Sequence, residues 1–505
     1  MTSQAQTRSD IDRLLRTPVD HFIAGEYVAP AGGEYFETAN PATGEALARV
    51  AGGTGADVDR AVAAARAAFD EGPWPRLSPQ ERRKYLYAVA GAIERRATDI
   101  GYVETLDTGQ PISQMQGGQV PRAAQNFRYC ADMAVNLPES VAPREGPFLN
   151  YTSRYPIGVA GLITPWNTPF MLETWKVAPC LAAGDTCILK PAEWAPLSAQ
   201  ILAEVIRDAG LPPGVFNIVH GYGEPAGASL VAHPGVQLIS FVGETTTGKE
   251  IMRNGAATLK RMMMELGGKG PVIVFADANF ERALDATIFG VYSLNGERCT
   301  AGSRVLVDDS IYDRFVDALA ARVARIRVGD PLDRNTEVGP LIHPEHAARV
   351  RAYIRLGQEE GARLVVGGEH PAGLADGNYV QPTLFSDVMR RMRIAREEIF
   401  GPVLCAMRFR SEEEALAMAN DVSYGLAAYV WTENLGRGHR VAEGLQSGMV
   451  WVNSQNVRNL HTPFGGAKGS GMGRDGGHHS FDFYCEIKNI SIALGDHHIP
   501  RFGVD

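Results

Sequence analysis

The feature that most constrains the fold is an alternation of short β-branched segments with helical segments of about a dozen residues, which begins at Gly158. The first series reads GVAGLITP, MLETWKVAPCLAAG, TCILKP, SAQILAEVIRDAG, GVFNIVHG and VQLISFVG. A second series starts near Pro271 with PVIVFADAN and continues to GLAAYVWT. Such alternation favours βαβ units and parallel, doubly wound sheets. The sequence therefore predicts an α/β protein with two Rossmann-like domains.

Length supports two domains, because a single core stops growing at roughly 250–300 residues and this chain has 505. Residues 57–97 precede the first series and read as helices, with Ser78 and Glu81 forming a capping box. Segments 147–156 and 483–494 alternate polar and apolar residues and have no evident partner in their own domains. A strand without a partner often completes a neighbour's sheet, so these segments are expected to form a small β arm between subunits.

The charge balance gives no reason to expect a nucleic acid or an anionic membrane as a partner. The chain has 49 Lys and Arg against 58 Asp and Glu, a net charge of −9. Its six cysteines are scattered without a CxxC pair, and we see neither a signal peptide nor an apolar run of roughly 18 residues. A cytoplasmic protein is the expectation.

Three residues could take part in a reaction, judged from the sequence around them. Cys299 lies between a predicted helix and a strand, with glycines on either side; a lone cysteine is usually a small buried residue, but this one could be a nucleophile. Glu265 follows three methionines at a strand end, where desolvation would raise its pKa and make it a base rather than a surface acid in a hinge. Asn167 lies in a stiff TPWNTPF loop, either as a helix cap or as a fixed amide donor for an oxyanion.

Together these pieces resemble the aldehyde dehydrogenase superfamily over essentially the whole chain. The matching motifs are PWNTPF, KPAE, FVGETTTG, MELGGK, GERC, EEIFGPV and PFGG, in the family's order and spacing. The resemblance implies that Cys299 attacks an aldehyde, that Asn167 holds the oxyanion and that Glu265 activates the water that hydrolyses the thioester. It also implies a catalytic role for Lys176. No metal is implied.

The resemblance further implies NAD as cofactor. Glu193, beside Lys190, should accept hydrogen bonds from the adenosine ribose and repel the 2′-phosphate of NADP. The loop from Gly243 to Gly248 opens a helix where a diphosphate can meet free N–H groups, although it carries Glu244 where many relatives have serine. The other implied cofactor contacts are Thr164, Pro165, Trp166, Leu266, Glu398 and Phe400. The literal GxGxxG of residues 471–476 follows no strand and is read as a loop.

Longer strings, among them FVGETTTG and VNSQNVRNLHTPFGG, resemble most the branch of the family that oxidises semialdehydes of aromatic-ring catabolism, such as 5-carboxymethyl-2-hydroxymuconate semialdehyde. Arg122 and Arg458 are candidates to bind the substrate's carboxylates. His461 stands where relatives in this branch commonly have a further arginine. The alternative is a neutral aliphatic or aromatic aldehyde, such as betaine aldehyde or a benzaldehyde, in a pocket of Trp175, Tyr129 and Phe464.

The resemblance also implies how the chain is divided. We expect an NAD-binding domain at 1–140 and 157–265, a catalytic domain at 266–475, and an oligomerisation arm with a C-terminal tail at 141–156 and 476–505. A homodimer or homotetramer is expected. An enzyme that acylates coenzyme A would not need Glu265, and a hydrolase would not need a ribose clamp, so both are disfavoured.

Overall fold

The computed structural model describes residues 3–374 and 377–503, and its architecture confirms the predicted α/β fold. The first sheet has eight strands, and its five central strands run parallel. In spatial order these strands are Glu26–Val28, His21–Ile23, Phe216–Ile218, Thr186–Lys190, Val159–Ile163, Leu238–Val242, Arg261–Glu265 and Gly471–Met472.

The second sheet has seven strands, all parallel except for one edge strand. In spatial order they are Arg363–Val366, Thr383–Ser386, Val403–Phe409, Arg304–Asp308, Pro271–Val274, Ala427–Trp431 and Met449–Val452. The antiparallel strand is the first of these, Arg363–Val366.

Both sheets are covered on their two faces, as a doubly wound fold requires. Along the Val159–Ile163 strand, Ala160 and Leu162 pack into one apolar cluster, whereas Val159 and Ile163 pack into another. The second sheet behaves in the same way along Pro271–Val274, because Ile273 faces one cluster and its two neighbours face the other. The strands therefore read as continuous apolar runs without polar alternation.

Several helices begin at a residue whose side chain caps them, among them the helices that follow Ser78, Asn279, Ser411 and Asn434. Ser78 accepts a hydrogen bond from the Glu81 N–H, and the Glu81 carboxylate accepts one from the Ser78 N–H, so the predicted capping box is confirmed. Proline occupies the first turn of the helices that start at Pro79, Pro169 and Pro344. The α-helices are Ser3–Leu14, Gly55–Asp70, Pro79–Arg95, Ala97–Thr108, Ile112–Gln114, Val120–Val135, Pro169–Ala183, Leu197–Asp208, Ala228–Ala232, Thr245–Gly255, Phe280–Tyr292, Tyr312–Val323, Pro344–Glu359, Arg393–Arg396, Glu412–Asn420, Leu435–Gly444 and His479–Tyr484.

The two segments that the sequence leaves without a partner pair with each other. Phe148–Pro156 and Cys485–Ala493 form an antiparallel ribbon in the same chain. Each strand therefore has a partner within its own chain, which the sequence did not reveal because the two segments are far apart along it. The remaining short strands pair as Tyr35–Ala39 with Ala46–Ala51 and Tyr424–Gly425 with Ala467–Lys468.

The GxGxxG stretch is not an independent loop, since Gly471–Met472 pairs with the end of the Arg261–Glu265 strand and so extends the first sheet. The chain thus returns to the first sheet after completing the second. Across the described ranges, none of the helices combines the length and apolar character needed to cross a bilayer.

Candidate active site

Two cavities meet between the sheets, and both are lined by the candidate nucleophile. The first has a volume of about 570 Å³ and the second about 360 Å³, sizes typical of small-molecule sites. The residues that line both are Asn167, Leu172, Val242, Glu265, Leu266 and Cys299. The three residues singled out by the sequence are therefore brought together where the cavities join.

Cys299 lies in the turn between a short helical segment, Ser293–Gly296, and the Arg304–Asp308 strand of the second sheet. Its main chain is closely packed, because a Cβ built on Gly268 would lie 2.5 Å from the Cys299 carbonyl oxygen. Burial raises the pKa of the thiol to about 11, while the Arg458 guanidinium acts in the opposite direction. The resting group is therefore a thiol, and Arg458 favours its ionisation.

Glu265 ends the Arg261–Glu265 strand of the first sheet and is 3% exposed. In the described part of the chain, neither carboxyl oxygen has a hydrogen-bond partner. Burial raises the pKa of Glu265 to about 8, with Lys176 opposing the shift and Asp475 adding to it. A carboxyl group with this pKa and this exposure to the cavities is suited to accept a proton.

Lys176, the fourth predicted catalytic residue, lies behind the cavities and lines neither of them. Its Nζ is 2.5 Å from Oδ2 of Asp475, and both side chains are fully buried. The sequence did not reveal Asp475 as its partner, because the two residues are 299 positions apart. The pair acts on Glu265 through its charges, with Lys176 lowering the pKa of Glu265 and Asp475 raising it.

Asn167 is 7% exposed, and its loop precedes the Pro169–Ala183 helix. Its Nδ2 donates a hydrogen bond to the main-chain carbonyl of Glu297 at 2.9 Å. Nε2 of Gln110 donates to the main-chain carbonyl of Asn167. One N–H of the side-chain amide and the main-chain carbonyl of Asn167 are thus held, and the second amide N–H makes no hydrogen bond to a described residue.

The first cavity contains four of the predicted substrate residues, Arg122, Trp175, Arg458 and Phe464. The guanidinium carbon of Arg458 lies 3.5 Å from the centre of the Phe464 ring and 5.1 Å from that of Trp175. His461 is different, since it is exposed and packs against the Tyr129 ring at 4.7 Å. Neither His461 nor Tyr129 lines the cavity, so the arrangement does not support their predicted contact with substrate.

The second cavity contains seven of the predicted cofactor residues: Pro165, Trp166, Gly243, Glu244, Leu266, Glu398 and Phe400. Glu398 Oε1 accepts a hydrogen bond from the Gly268 N–H at 2.7 Å. A Cβ on Gly267 would lie 2.1 Å from Oε2 of Glu398, so only glycine leaves that oxygen in place. The second oxygen of Glu398 is therefore available to accept hydrogen bonds from a ligand's hydroxyl groups.

Four predicted cofactor residues do not line this cavity: Thr164, Lys190, Glu193 and Gly248. Thr164 and Lys190 are buried at adjacent strand ends, and Lys190 Nζ lies 2.9 Å from Glu193 Oε2. The neighbouring Trp194 does line the cavity. Glu193 of the Lys190–Glu193 pair thus immediately precedes a lining residue, Trp194, but neither member of the pair lines the cavity.

Several lining residues were missed by the sequence reading. Arg298 lines the first cavity, and its position next to Cys299 in GERC could have revealed it. Trp194, His346 and Arg349 line the second cavity. The latter two belong to the Pro344–Glu359 helix, which lies 45 or more residues from Cys299 and carries no recognisable motif.

Outside the cavities, the described residues include one group with metal-ligating side chains, His478, His479 and Asp482, whose ligand atoms lie within 4.8 Å of one another. Two adjacent histidines do not have the spacing of a metal site along the sequence, but the short His479–Tyr484 helix brings the three side chains together. Asp482 already pairs with Arg154 at 2.8 Å, and none of the three lines either cavity.

Comparison with known proteins agrees with this geometry. The model of the family described as "Aldehyde dehydrogenase family" matches residues 27–490. The chain is 50% identical over 467 residues to 5-carboxymethyl-2-hydroxymuconate semialdehyde dehydrogenase of Escherichia coli, covering 92% of this chain and 98% of that protein. The crystal structure of HpcC from Thermus thermophilus superposes with a TM-score of 0.96 at 51% identity, covering 99% of this chain and 98% of that one. The NAD⁺ complex of an aldehyde dehydrogenase from Bacillus cereus gives a TM-score of 0.94 at 41% identity, with 96% and 98% covered.

Proposed function

The chain belongs to the aldehyde dehydrogenase family, and we propose that it oxidises a carboxylate-bearing semialdehyde to the acid, with NAD as hydride acceptor and Cys299 as nucleophile. The family resemblance stated from the sequence is thus confirmed. The observation that carries the proposal is the position of Cys299 and Glu265 at the junction of the two cavities. One cavity is suited to an aldehyde with anionic groups and the other to a nicotinamide cofactor.

The first step is attack by Cys299 on the aldehyde carbon. The thiol loses its proton to solvent, sulfur forms a bond to carbon, and the carbonyl electron pair becomes an oxyanion. We assign the second N–H of Asn167 and the main-chain N–H of Cys299 to hold that charge, and such donors are typically worth about 10²–10³ in rate. The product is a thiohemiacetal.

The residues that line the second cavity suit the chemical groups of the cofactor. Oε2 of Glu398 supplies an acceptor for ribose hydroxyl groups, and Trp166 and Phe400 supply flat apolar surface. The Thr245–Gly255 helix begins beside Gly243 and Glu244, where its first N–H groups suit a diphosphate. A nicotinamide bound beside Trp166 and Phe400 would supply the acceptor for the hydride that leaves the thiohemiacetal carbon on Cys299. The carbonyl then reforms, and the acyl group remains on Cys299 as a thioester.

Deacylation is assigned to Glu265. Its carboxylate removes a proton from water, the hydroxide oxygen adds to the thioester carbon, and the carbon–sulfur bond breaks. Carboxylic acid and thiolate are the products, and the proton on Glu265 returns to solvent. A pKa raised to about 8 makes the ionised form a stronger base than an ordinary carboxylate.

The charge of the first cavity supports an anionic substrate. Arg122, Arg298 and Arg458 all line it, whereas Glu265 is the one acid among its described lining residues. Among the described residues, no carboxyl group acts on the pKa of Arg122, and Glu265 acts on that of Arg458 through its charge alone. Guanidinium groups without carboxylate partners suit the carboxylates of a ring-cleavage semialdehyde such as 5-carboxymethyl-2-hydroxymuconate semialdehyde. The name of the E. coli relative contains that compound.

The apolar walls support a second candidate. Met171, Leu172, Trp175 and Phe464 enclose the same cavity, and such a surface would accept a neutral aromatic aldehyde such as a benzaldehyde. A panel of aldehydes separates the two, with formation of reduced NAD as readout. We expect kcat/KM for the carboxylated semialdehyde to exceed that for benzaldehyde by at least about tenfold, or about 1.4 kcal/mol. Equal or inverted values would favour the neutral substrate.

We also propose that the chain assembles through the ribbon of Phe148–Pro156 and Cys485–Ala493. Apolar side chains project from it into solvent, among them Tyr155 at 43%, Ile487 at 52% and Ile492 at 42% exposed. A two-stranded ribbon is marginally stable unless it packs on another surface. A homodimer or a dimer of dimers would cover it. The domain bounds at 140, 157, 265 and 475 and a cytoplasmic location remain predictions.

A further inference from the structure

The segment that carries Cys299 is held in an unusual backbone conformation. Leu294, Asn295 and Gly296 have consecutive positive φ angles of 53°, 56° and 76°, and the first two are costly for residues other than glycine. The Asn295 side chain fixes the turn, since its Oδ1 accepts the Gly339 N–H at 2.7 Å. Such a conformation persists only where the surroundings over-determine it.

Glu297, two positions before the nucleophile, joins this segment to the first domain. Its side chain is fully buried, and Oε1 accepts the Ile342 N–H at 2.9 Å. Its main-chain carbonyl is the acceptor for Nδ2 of Asn167, also at 2.9 Å. Gln110 lies near enough to the Glu297 carboxyl group to act on its pKa, and its Nε2 donates a hydrogen bond to the Asn167 carbonyl. Glu297 and Gln110 therefore contact Asn167 from two sides.

No cation neutralises this carboxyl group in the described part of the chain. The nearest basic group is His346, whose Nε2 lies 3.8 Å from Oε1, but burial lowers the pKa of His346 to about 4. Burial also raises the pKa of Glu297 well above its usual value. A neutral acid carries a proton on Oε2, and both that oxygen and Oε1 of Gln110 otherwise have no partner among the described residues. A hydrogen bond from the protonated Oε2 of Glu297 to Oε1 of Gln110 would satisfy both atoms.

We propose that Glu297 is a positioning residue for the oxyanion: its carboxyl group anchors the Cys299 segment to Ile342 and Gln110, and its carbonyl thereby aims the Asn167 amide. The inference rests on the proposed function, because it assigns Asn167 to the oxyanion. Glu297 itself contacts no reacting atom and lines neither cavity. Its removal should misdirect the Asn167 amide without removing it.

The test compares Glu297→Gln with Glu297→Met. Glutamine keeps an acceptor for Ile342 and a donor for Gln110, whereas methionine fills similar space and keeps neither. In single-turnover experiments at saturating NAD and aldehyde, we expect the burst of reduced NAD to slow at least about tenfold in Glu297→Met. In Glu297→Gln it should stay within about threefold of the wild type, with the same pH profile. Equal slowing in both variants, or no slowing in Glu297→Met, would overturn the proposal.

A double variant distinguishes a loss of orientation of the Asn167 amide from a general loss of protein stability. In an Asn167→Ala background, Glu297→Met should add less than about threefold, because the misdirected group is already gone; additive losses would contradict the proposal. If Glu297→Met does not fold, Gln110→Leu replaces it, with the same slowing and the same dependence on Asn167 expected. Wild-type protein that reduces no NAD with any aldehyde would instead refute the proposed function, so the two failures are distinguishable.

Discussion

Glu265 and Cys299 line the same two cavities although they belong to different sheets. Glu265 is the last residue of a strand of the first sheet, and Cys299 lies in the turn that precedes a strand of the second sheet. Glu265 is buried, and its carboxyl oxygens have no hydrogen-bond partner in the residues described, so no such bond ties the group to one of the cavities. The base and the nucleophile therefore lie between the two ligands that the reaction must bring together.

The pH dependence of deacylation should follow Glu265. The active base is the ionised carboxylate, and burial raises its pKa to about 8. Below that pH the group is mostly protonated and inactive, so we expect the deacylation rate to rise with pH through about 8 and then level. Rapid-mixing kinetics from about pH 6 to 9.5 measure it. A deacylation rate that is flat over this range would show that Glu265 is not the base.

Cofactor choice should depend on Glu193, whose carboxylate repels a 2′-phosphate. We expect wild type to prefer NAD over NADP by at least about tenfold in kcat/KM, about 1.4 kcal/mol, and Glu193→Gln to reduce that preference. Asp208→Asn removes the same charge from an exposed position of the same domain and should leave the ratio unchanged. An unaltered ratio in Glu193→Gln would mean that the carboxylate does not reach the ribose.

Substrate choice should depend on Arg458. Replacement by leucine removes a charge-assisted contact of about 1.5–3 kcal/mol, so kcat/KM for the carboxylated semialdehyde should fall at least about tenfold more than for benzaldehyde. The comparison uses a ratio because Arg458 also lowers the pKa of Cys299, which affects both substrates. Equal losses for the two aldehydes would contradict a role in carboxylate binding.

The assembly should be a dimer or tetramer. The exposed ribbon that includes Ile487 gives a physical reason for association. In the described part of the chain no further strand lies beside the outer edge of Cys485–Ala493, whereas residues 140–142 cover the other edge. Light scattering at micromolar concentration measures the mass of the species in solution. A stable monomer of 54.6 kDa that still oxidises aldehyde would refute the proposed role of the ribbon.

The sequence predicted most of the fold because the strands are short, apolar and separated by well-capped helices. The meeting of Cys299 with Glu265 was implied by the family resemblance, in which the two residues act on the same substrate carbon. What the sequence missed depends on contacts between distant segments. Lys176 and Asp475 pair across 299 positions, and the Phe148–Pro156 strand finds its partner near the C-terminus. No local pattern encodes such pairs.

The predicted substrate residues likewise divide into those that line the first cavity and those that do not. Arg122 and Arg458 were predicted as partners for carboxylates, Trp175 and Phe464 as walls of the alternative apolar pocket, and all four line the first cavity. His461 lies only three residues before Phe464, yet its side chain is exposed and packs on Tyr129. Side-chain direction in an irregular loop cannot be read from spacing, since no period governs it.

The central claim is that oxidation proceeds through a thioester on Cys299, and trapping that species tests it most directly. Glu265→Gln, mixed with NAD and aldehyde, should give a burst of reduced NAD close to one per active site and then stall. Intact-mass and peptide analysis of the stalled protein should find the acyl group on Cys299. Cys299→Ala should give neither burst nor adduct while still binding NAD, and Cys187→Ala, which removes a buried thiol that lines neither cavity, should retain the burst. Steady turnover of Glu265→Gln without an adduct, or turnover by Cys299→Ala, would contradict the account.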